Sequence, residues 1–192
     1  MEISYLFESE RLGFRRWEER DRNPFAAMSA DPDVMQYFPK PLAKREADRL
    51  IDRFETHMVD KAYTMWAVDR KEDGTFIGFI GLLEIAMAIE GQGAAEVGWR
   101  LDKCFWKKGY AVEGAIACFE YAFGSLGMIE VYSFTSAVNR PSEKVMKRIG
   151  MTKIGEFEHP NLEDGSPLKT HVLYKIDKQQ ACEKFDRSRG ER

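Results

Sequence analysis

Residues 94–115, AAEVGWRLDKCFWKKGYAVEGA, decide the fold class of this chain of 192 residues. Apolar and polar residues alternate over residues 94–101, which predicts a β-strand with Val97 and Trp99 on one face. From Ala111 onward, apolar residues recur every three or four positions, as they do in an amphipathic helix. The segment therefore predicts a strand, a short glycine-centred turn and the start of a helix, as expected in an α/β domain.

The turn, Lys107-Lys108-Gly109-Tyr110, has the features of an anion-binding site. A helix that starts here leaves its first N–H groups unpaired and its positive dipole end open. Gly109 lets a ligand approach the backbone, and the two lysines add positive charge. These features suit a phosphate or pyrophosphate, although a tight turn without a ligand remains an alternative. The P-loop and dinucleotide-binding patterns, with their additional glycines or Gly-Lys-Ser/Thr, are not matched.

A second strand-to-helix motif lies further along the chain. Residues 129–136, IEVYSFTS, are mostly β-branched, aromatic or small and predict a strand. Residues 142–149 predict a helix, and Gly150 suits the position just past its end. Asn139 and Ser142 lie where this helix begins, so a purely capping role would account for both of them.

The two motifs, in this order and spacing, resemble the GNAT N-acetyltransferase superfamily. In that family a turn of the form Gln/Arg-x-x-Gly-x-Gly/Ala wraps the pyrophosphate of acetyl-CoA, and residues 106–111, WKKGYA, match it except at Trp106. The aromatic form resembles the branch that contains the ribosomal-protein N-terminal (alanine/serine) acetyltransferases. The same branch is similar to this chain at residues 10–15, 96–99, 139–142 and 149–151. The resemblance covers residues 8–176.

The resemblance implies an α/β (α+β) chain with the GNAT fold. Its central mixed, mostly antiparallel sheet would have about seven strands, splayed at the acetyl-CoA site and flanked by about four helices. Residues 1–177 are expected to form a single domain, followed by a charged C-terminal tail at 178–192 that is a frayed helix or disordered. Local patterns predict strands at 12–17, 63–69, 75–84, 152–158 and 170–176, helices at 24–30 and 43–60, and a turn at 31–33.

The resemblance also implies where acetyl-CoA binds. Backbone N–H groups around the glycine turn would bind the pyrophosphate. The pantetheine arm would lie along residues 99–101, at the end of the strand predicted for 94–101, as an added strand would. A backbone N–H of that strand would meet the oxyanion, and Asn139 would bind the cofactor arm or an ordered water. The implied cofactor-binding residues are Trp99, Arg100, Leu101, Lys107, Lys108, Gly109, Tyr110, Ala111, Asn139 and Ser142.

Two residues are candidates for the proton transfers. Glu96 lies on the strand near its splayed centre, where a carboxylate could take the amine proton through water; a structural salt bridge is the alternative. Ser142 could protonate the departing thiolate, with helix capping as its alternative. Many superfamily members carry a tyrosine on the last helix as the acid, and this helix has none. Tyr110 and Tyr132 are available, but nothing in the sequence directs either one at the sulfur.

The cost of deprotonating the acceptor favours an α-amine. A lysine amine with a pKa of ~10.4 costs about 4.6 kcal/mol to deprotonate at neutral pH, whereas an α-amine at ~7.7–8.0 costs roughly 1–1.4 kcal/mol. A chain without an obvious strong base therefore suits a peptide N-terminus better than a lysine side chain, while a small-molecule amine remains open. Acidic residues within 156–164 would attract a cationic acceptor or form a solvated hairpin tip.

Composition excludes several classes of protein. The net charge is −3, so there is no basic footprint for nucleic acid, and no apolar run is long enough for a membrane span. The N-terminus lacks the pattern of a signal peptide. Cys104, Cys118 and Cys182 are odd in number and predict reduced thiols in a cytoplasmic protein. His57 and the other two histidines are scattered, so no metal site is expected.

The apolar segment 85–89 and exposed strand edges favour a homodimer. Two functions of other classes stay open alongside the enzyme. One is a GNAT-fold module that binds acyl-CoA without turnover, which the missing tyrosine would fit. The other is an α/β domain that binds ATP or NAD at the Gly109 turn, against which the unmatched nucleotide patterns argue.

Overall fold

The computed structural model describes residues 4–190, without the side chains of 185–190. Its strands are β1 (Phe7–Glu8), β2 (Leu12–Arg15), β3 (Met65–Arg70), β4 (Thr75–Glu84), β5 (Ala95–Leu101), β6 (Glu130–Ser136), β7 (Thr152–Glu158) and β8 (Thr170–Asp177). Its α-helices are α1 (Arg22–Ala30), α2 (Pro32–Met35), α3 (Lys44–Lys61), α4 (Tyr110–Glu120), α5 (Arg140–Arg148) and α6 (Lys178–Gly190).

The strands form a mixed sheet in the order β1-β2-β3-β4-β5-β6-β8-β7. Neighbours are antiparallel along β1 to β4 and along β6, β8 and β7, whereas β5 and β6 are parallel. This mostly antiparallel α/β arrangement confirms the predicted fold class. Within the described residues there are eight strands and six α-helices, more than the expected seven and four.

The additional elements are short or lie in the tail. β1 has two residues, too few for an alternating pattern to appear. The prediction of a turn at 31–33 was wrong, because Pro32 starts the four-residue helix α2 and Asp31 caps it by accepting from the N–H of Asp33 at 2.8 Å. The tail forms α6 as far as Gly190, and its Ala181 is buried. Residues 1–3, within the expected single domain, and 191–192, at the end of the tail, lie outside the described residues.

Contacts divide the chain into two compact units. The first comprises the described part of Met1–Leu83 together with Gly98–Ala117. Its core is largely aromatic: Trp17, Phe25, Phe54 and Phe79 pack together, with ring centroids of Trp17 and Phe25 5.0 Å apart. The amphipathic helix α3 supplies the inward-facing Phe54.

A buried arginine also stabilises the first unit. Arg15, 2% exposed, donates to Asp69 Oδ2 at 2.7 Å and to Asp21 Oδ2 at 2.6 Å. Burial opposes its charge, but the hydrogen bonds to the two carboxylates outweigh that cost and raise the pKa of Arg15. A buried cation is thereby paired on two sides, as buried charges usually are.

The second unit comprises Glu84–Val97 and the described part of Cys118–Arg192. A cluster of Ile85, Tyr132 and Leu173 lies at its centre, and Ile89 packs against it. The backbone of Ile85 closes a hairpin end with Ala94, whose carbonyl accepts at 2.9 Å. The apolar segment 85–89 is therefore partly used within its own unit.

Candidate active site

The turn before α4 has the conformation that its glycine predicts. Gly109 has φ +85° and Lys107 has φ +60°, and α4 starts at Tyr110. The left-handed region is open to glycine at little cost, and Gly109 is exposed, so its backbone is accessible from solvent. The carbonyl of Gly109 accepts the N–H of Glu113 at 3.0 Å, as in an α-helix, whose first N–H groups have no partner within the helix.

Arg11 and Glu113 hold this turn in place. The Arg11 Nη1 donates to the carbonyl of Lys108 at 3.1 Å, and the Arg11 guanidinium stacks over the Tyr110 ring at 4.6 Å. Glu113 accepts from Arg11 Nε at 2.6 Å, from the Arg11 backbone N–H at 2.7 Å and from Ser9 Oγ at 2.6 Å. Burial opposes ionisation of Glu113, but these hydrogen bonds outweigh it and lower the pKa. The turn is therefore preorganised.

The sequence interpretation assigned no role to either side chain. Glu113 lies four residues after Gly109, which places it on the first turn of the helix and is a local signal. Arg11 is separated from Glu113 by 102 residues, and no periodicity reveals such a pair.

A small hollow of about 220 Å³ lies beside this turn. Three cations, Arg11, Arg70 and Lys71, line it together with two carboxylates, Glu10 and Glu72, and with Tyr110. Arg70 is already paired with Asp73, whose pKa its hydrogen bonds lower. The net positive charge of the region therefore comes from the turn, where the exposed Lys107 and Lys108 adjoin a helix start that suits the anionic groups of a nucleotide-like cofactor.

Trp106 stands where the GNAT turn pattern has Gln or Arg, and its side chain has a structural contact. Its indole Nε1 donates to the carbonyl of Leu101 at 2.8 Å, so the side chain ties the turn to the end of β5. Gly78 on β4 allows close approach to the same strand, because a Cβ there would stand 2.2 Å from the carbonyl oxygen of Arg100. Both contacts fix the course of residues 99–101.

The side chains of that strand segment differ in their surroundings. Trp99 is half-buried, whereas Leu101 and Arg100 are buried. Arg100 Nη1 reaches Ser29 Oγ at 3.4 Å, and its guanidinium lies over the ring of Phe38 at 4.2 Å. Burial lowers the pKa of Arg100 to about 10, which leaves it charged at neutral pH.

Glu96 belongs to the second unit. It is half-buried on β5 and faces Tyr132 of the parallel strand β6 in register. One residue further along both strands, Ser133 Oγ donates to the carbonyl of Val97 at 2.9 Å. Burial and a hydrogen bond to Glu130 raise the pKa of Tyr132 to about 12, so this phenol stays protonated.

Asn139 is the N-cap of α5. It is 8% exposed, and its Oδ1 accepts from the Ser142 N–H at 3.2 Å while its Nδ2 donates to Thr135 Oγ1 at 2.8 Å and to Ser142 Oγ at 3.1 Å. Ser142 is not the cap; its hydroxyl accepts from the capping side chain. The capping alternative for the Ser142 hydroxyl was therefore wrong. Capping does not exclude the cofactor or proton-transfer roles, which stay predictions.

The predicted site residues fall into two groups. Trp99, Arg100, Leu101 and the turn residues 107–111 lie in the first unit, whereas Glu96, Asn139 and Ser142 lie in the second. In the described part of the chain, no group of His, Cys, Asp and Glu could hold a metal ion. Among residues 4–190, no helix combines the length and apolar composition that crossing a membrane requires.

Comparison with known proteins identifies the family. The family model described as "Acetyltransferase (GNAT) domain" matches residues 11–152, most of the chain. The chain belongs to the GNAT acetyltransferases. It is an acetyl-CoA-dependent N-acetyltransferase, as the resemblance implied.

Individual relatives agree with this assignment. The chain is 24% identical to the uncharacterized N-acetyltransferase YoaA of Bacillus subtilis, over 87% of this chain and 94% of YoaA. The crystal structure of a GNAT-family acetyltransferase from Bacillus anthracis superposes with a TM-score of 0.75 at 25% identity, covering 90% of this chain and 98% of that one.

Two further solved structures share the fold but differ in acceptor. Spermidine N-acetyltransferase from Vibrio cholerae, in complex with CoA and spermine, superposes with a TM-score of 0.71 at 19% identity, covering 90% of this chain and 98% of its own. Ribosomal-protein-S5-alanine acetyltransferase from Vibrio fischeri superposes with a TM-score of 0.69 at 20% identity, covering 89% of this chain and 95% of that one. At such identities the likeness shows the fold alone.

Proposed function

We propose that this GNAT enzyme binds acetyl-CoA at the Gly109 turn and transfers the acetyl group by direct attack of a primary amine. One observation carries the proposal: an exposed glycine turn at the start of α4, held by the Arg11–Glu113 pair and flanked by the exposed Lys107 and Lys108. A helix start of this kind binds phosphate oxygens without side-chain ligands. Lys107, Lys108 and Ala111 would contribute to the same binding site.

The pantetheine arm is proposed to lie along residues 99–101. The backbone of a strand segment can hydrogen-bond the amide groups of pantetheine as it would another strand. A backbone N–H of that segment would then stabilise the oxyanion of the tetrahedral intermediate.

The proton transfers are proposed for the second unit. Glu96 would accept the amine proton through water, and Ser142 would donate to the departing thiolate. Asn139, which already donates to the Ser142 hydroxyl at 3.1 Å, would orient it or bind the cofactor arm. Tyr110 is buried and Tyr132 is hydrogen-bonded to Glu130 at 2.9 Å, so neither is assigned as the acid.

An α-amine, such as a protein N-terminus, is the proposed acceptor, because it is cheaper to deprotonate than a lysine side chain. The S5-alanine acetyltransferase among the structural neighbours is named for such an acceptor. A small-molecule amine is the second candidate, since another neighbour is named for spermidine. A cytoplasmic location, a homodimer and a single catalytic domain over residues 1–177 belong to the same proposal.

Thiol release from acetyl-CoA tests the proposal directly. The purified protein would be given peptides beginning with Ala or Ser, the same peptides with blocked N-termini, spermidine and L-amino acids. We expect release with a free α-amine and none with the blocked peptide. Release with spermidine alone would move the acceptor to the small-molecule candidate, and binding of acetyl-CoA without release for any amine would contradict the proposed transfer.

A further inference from the structure

A second pocket of the first unit is lined by Arg100, a residue of the strand segment assigned to pantetheine. It has a cavity volume of about 340 Å³, within the range of small-molecule sites. Arg100, from β5, forms one part of its lining, and α3 with the segment before it forms the rest. We refer to it as the Arg100 pocket.

Within the part of the chain that the structure describes, the guanidinium of Arg100 has no anionic partner. Arg100 is 9% exposed, and among the described residues its Nε has no hydrogen-bond partner. Its remaining contacts are the long bond to Ser29 Oγ at 3.4 Å and the rings of Phe38 at 4.2 Å and Phe79 at 5.3 Å. Burial is the one influence on its pKa, and no carboxylate in the described part of the chain offsets it.

Arg15, another buried arginine of this chain, shows how a buried guanidinium is usually paired. It is similarly buried, and two carboxylates neutralise it within 2.7 Å. A buried charge without a counter-charge is costly and is rarely retained unless something else pairs with it. Arg100 lines a pocket, so its missing partner can be supplied by a ligand.

The rim of the pocket carries the same sign of charge. Arg49 and Arg53 are exposed, four residues apart on α3, and both line the pocket. The carboxylate in the lining, Glu46, is paired with Lys40 at 2.7 Å. The unpaired charge that a ligand would meet is therefore positive, which favours an anion.

We propose that the Arg100 pocket binds a carboxylate carried by the amine acceptor. The inference rests on the proposed function and narrows its acceptor to amines that also bear a carboxylate. The planar guanidinium presents paired N–H donors that match the two oxygens of a carboxylate, and the ring of Phe38 lies against one face of it. Because Arg100 lies between Trp99 and Leu101, a carboxylate bound there holds its amine beside the strand proposed for pantetheine.

Two sources could supply such a carboxylate, and separate arms of one experiment distinguish them. The first arm compares L-leucine and L-phenylalanine with their C-terminal amides. The second compares peptides that begin Ala-Glu with otherwise identical peptides that begin Ala-Gln. A neighbouring carboxylate favours the protonated amine, which works against the acid of each pair, so a preference for the acid reports binding of the carboxylate.

Calorimetry with acetyl-CoA comes first, because a wild-type protein that does not bind it refutes the proposed function itself. If acetyl-CoA binds, kcat/KM for thiol release is measured in both arms. We expect the acid to exceed its neutral partner by about 10-fold or more in one arm. Arg100→Met should reduce that ratio to within about twofold, whereas Arg45→Met, an exposed arginine on α3 that does not line the pocket, should preserve it.

Arg49→Met and Arg53→Met change exposed side chains and keep the test decisive if Arg100→Met does not fold. Each should lower the acid preference by roughly two- to threefold at low salt, with less effect at high salt, because exposed charges are screened. Equal turnover of acid and neutral partner in both arms, turnover of polyamines alone, or a preference that survives in folded Arg100→Met would overturn the inference while leaving acetyl transfer intact.

Discussion

Glu96 is the residue on which the proposed chemistry depends most. It is half-buried on β5, opposite Tyr132, which is held protonated. A carboxylate there serves as a base only if water connects it to the amine. Its role can therefore be tested by removing the charge while keeping the shape of the side chain.

Glu96→Gln should lower kcat by ~10²–10⁴-fold, the usual range for a general base. Raising the pH should recover part of the loss, since more of the amine then loses its proton unaided. The measurement is a pH–rate profile of thiol release, with Glu183→Gln, an exposed carboxylate on α6, as the control. A wild-type profile for Glu96→Gln would show that Glu96 is structural and that the amine arrives neutral.

Substitutions at Asn139 and Ser142 should have different effects, the first mainly on stability and the second mainly on turnover. Asn139→Ala removes the N-cap of α5 and the bond to Thr135, so we expect a loss of ~1 kcal/mol in the free energy of unfolding. Ser142→Ala removes a hydroxyl that is not the cap, so it should cost less stability but lower turnover, with little recovery at high pH. Denaturant unfolding and thiol release on both variants check this. A larger stability loss for Ser142→Ala would contradict it.

Single-residue roles were only partly predictable from the sequence. Gly109 was predictable because a left-handed turn before a helix selects glycine locally. The Arg11–Glu113 pair and the burial of Arg100 without a carboxylate partner among the described residues were not predictable, because both depend on tertiary packing. A sequence shows that Arg15 and Arg100 are arginines on strands. It does not show that Arg15 is paired with two carboxylates, whereas Arg100 has none among the described residues.

At the scale of elements, α5 is fastened to β8 through Glu143. Its Oε1 accepts from Tyr174 OH at 2.8 Å, and it also pairs with Lys147 and Arg140, each at 2.9 Å. These partners lower the pKa of Glu143 from 4.5 to about 2, and the hydrogen bond from Lys147 has the largest effect. The folded state thus holds the ionised carboxylate more tightly than the unfolded chain does.

Stability should therefore depend on Glu143 in a defined pH window. Because its pKa is lower in the folded state, the contribution is complete above pH 4.5 and is lost as the pH falls toward about 2. Thermal unfolding of wild type and Glu143→Gln across pH 7 to 2 should show a Tm gap that narrows through this window. A gap that stays constant, or widens in acid, would contradict the pairing.

The elements themselves were largely predictable where the pattern was long. β4 and β7 begin and end as expected at 75–84 and 152–158, since alternation over seven or more residues is informative. α2 was missed because a four-residue helix after Asp31-Pro32 resembles a turn in sequence. β1 was missed because two residues carry no period.

For the whole molecule, self-association is the expectation least supported by local structure. Ile85 is buried and Ile89 packs against the same cluster, so the segment 85–89 offers less free apolar surface than its composition indicated. The edge strands β1 and β7 remain as surfaces that can pair with another chain.

Light scattering with size exclusion tests the homodimer. We expect a mass of twice the 22.2 kDa of the chain at high protein concentration. Dilution should shift the mass toward the monomer if the association is weak. A monomer mass at every concentration would refute the homodimer while leaving the enzyme assignment unaffected.

Acetyl-CoA binding at the Gly109 turn is the central claim, and Gly109→Asp addresses it. Gly165 provides a matched control, because its φ of +84° is close to the +85° of Gly109 and it lies on an exposed loop. Both substitutions therefore impose the same backbone strain, but only Gly109→Asp places a negative charge beside the proposed pyrophosphate. Lys108→Ala should weaken binding less, because the main contacts are backbone N–H groups.

Calorimetric titration of acetyl-CoA into folded wild type, Gly109→Asp and Gly165→Asp compares these affinities directly, with circular dichroism confirming the fold of each. We predict wild-type affinity for Gly165→Asp and a loss of at least about 10-fold for Gly109→Asp, as expected when like charge replaces a helix-start anion site. Unchanged acetyl-CoA affinity in folded Gly109→Asp would contradict the proposed binding site.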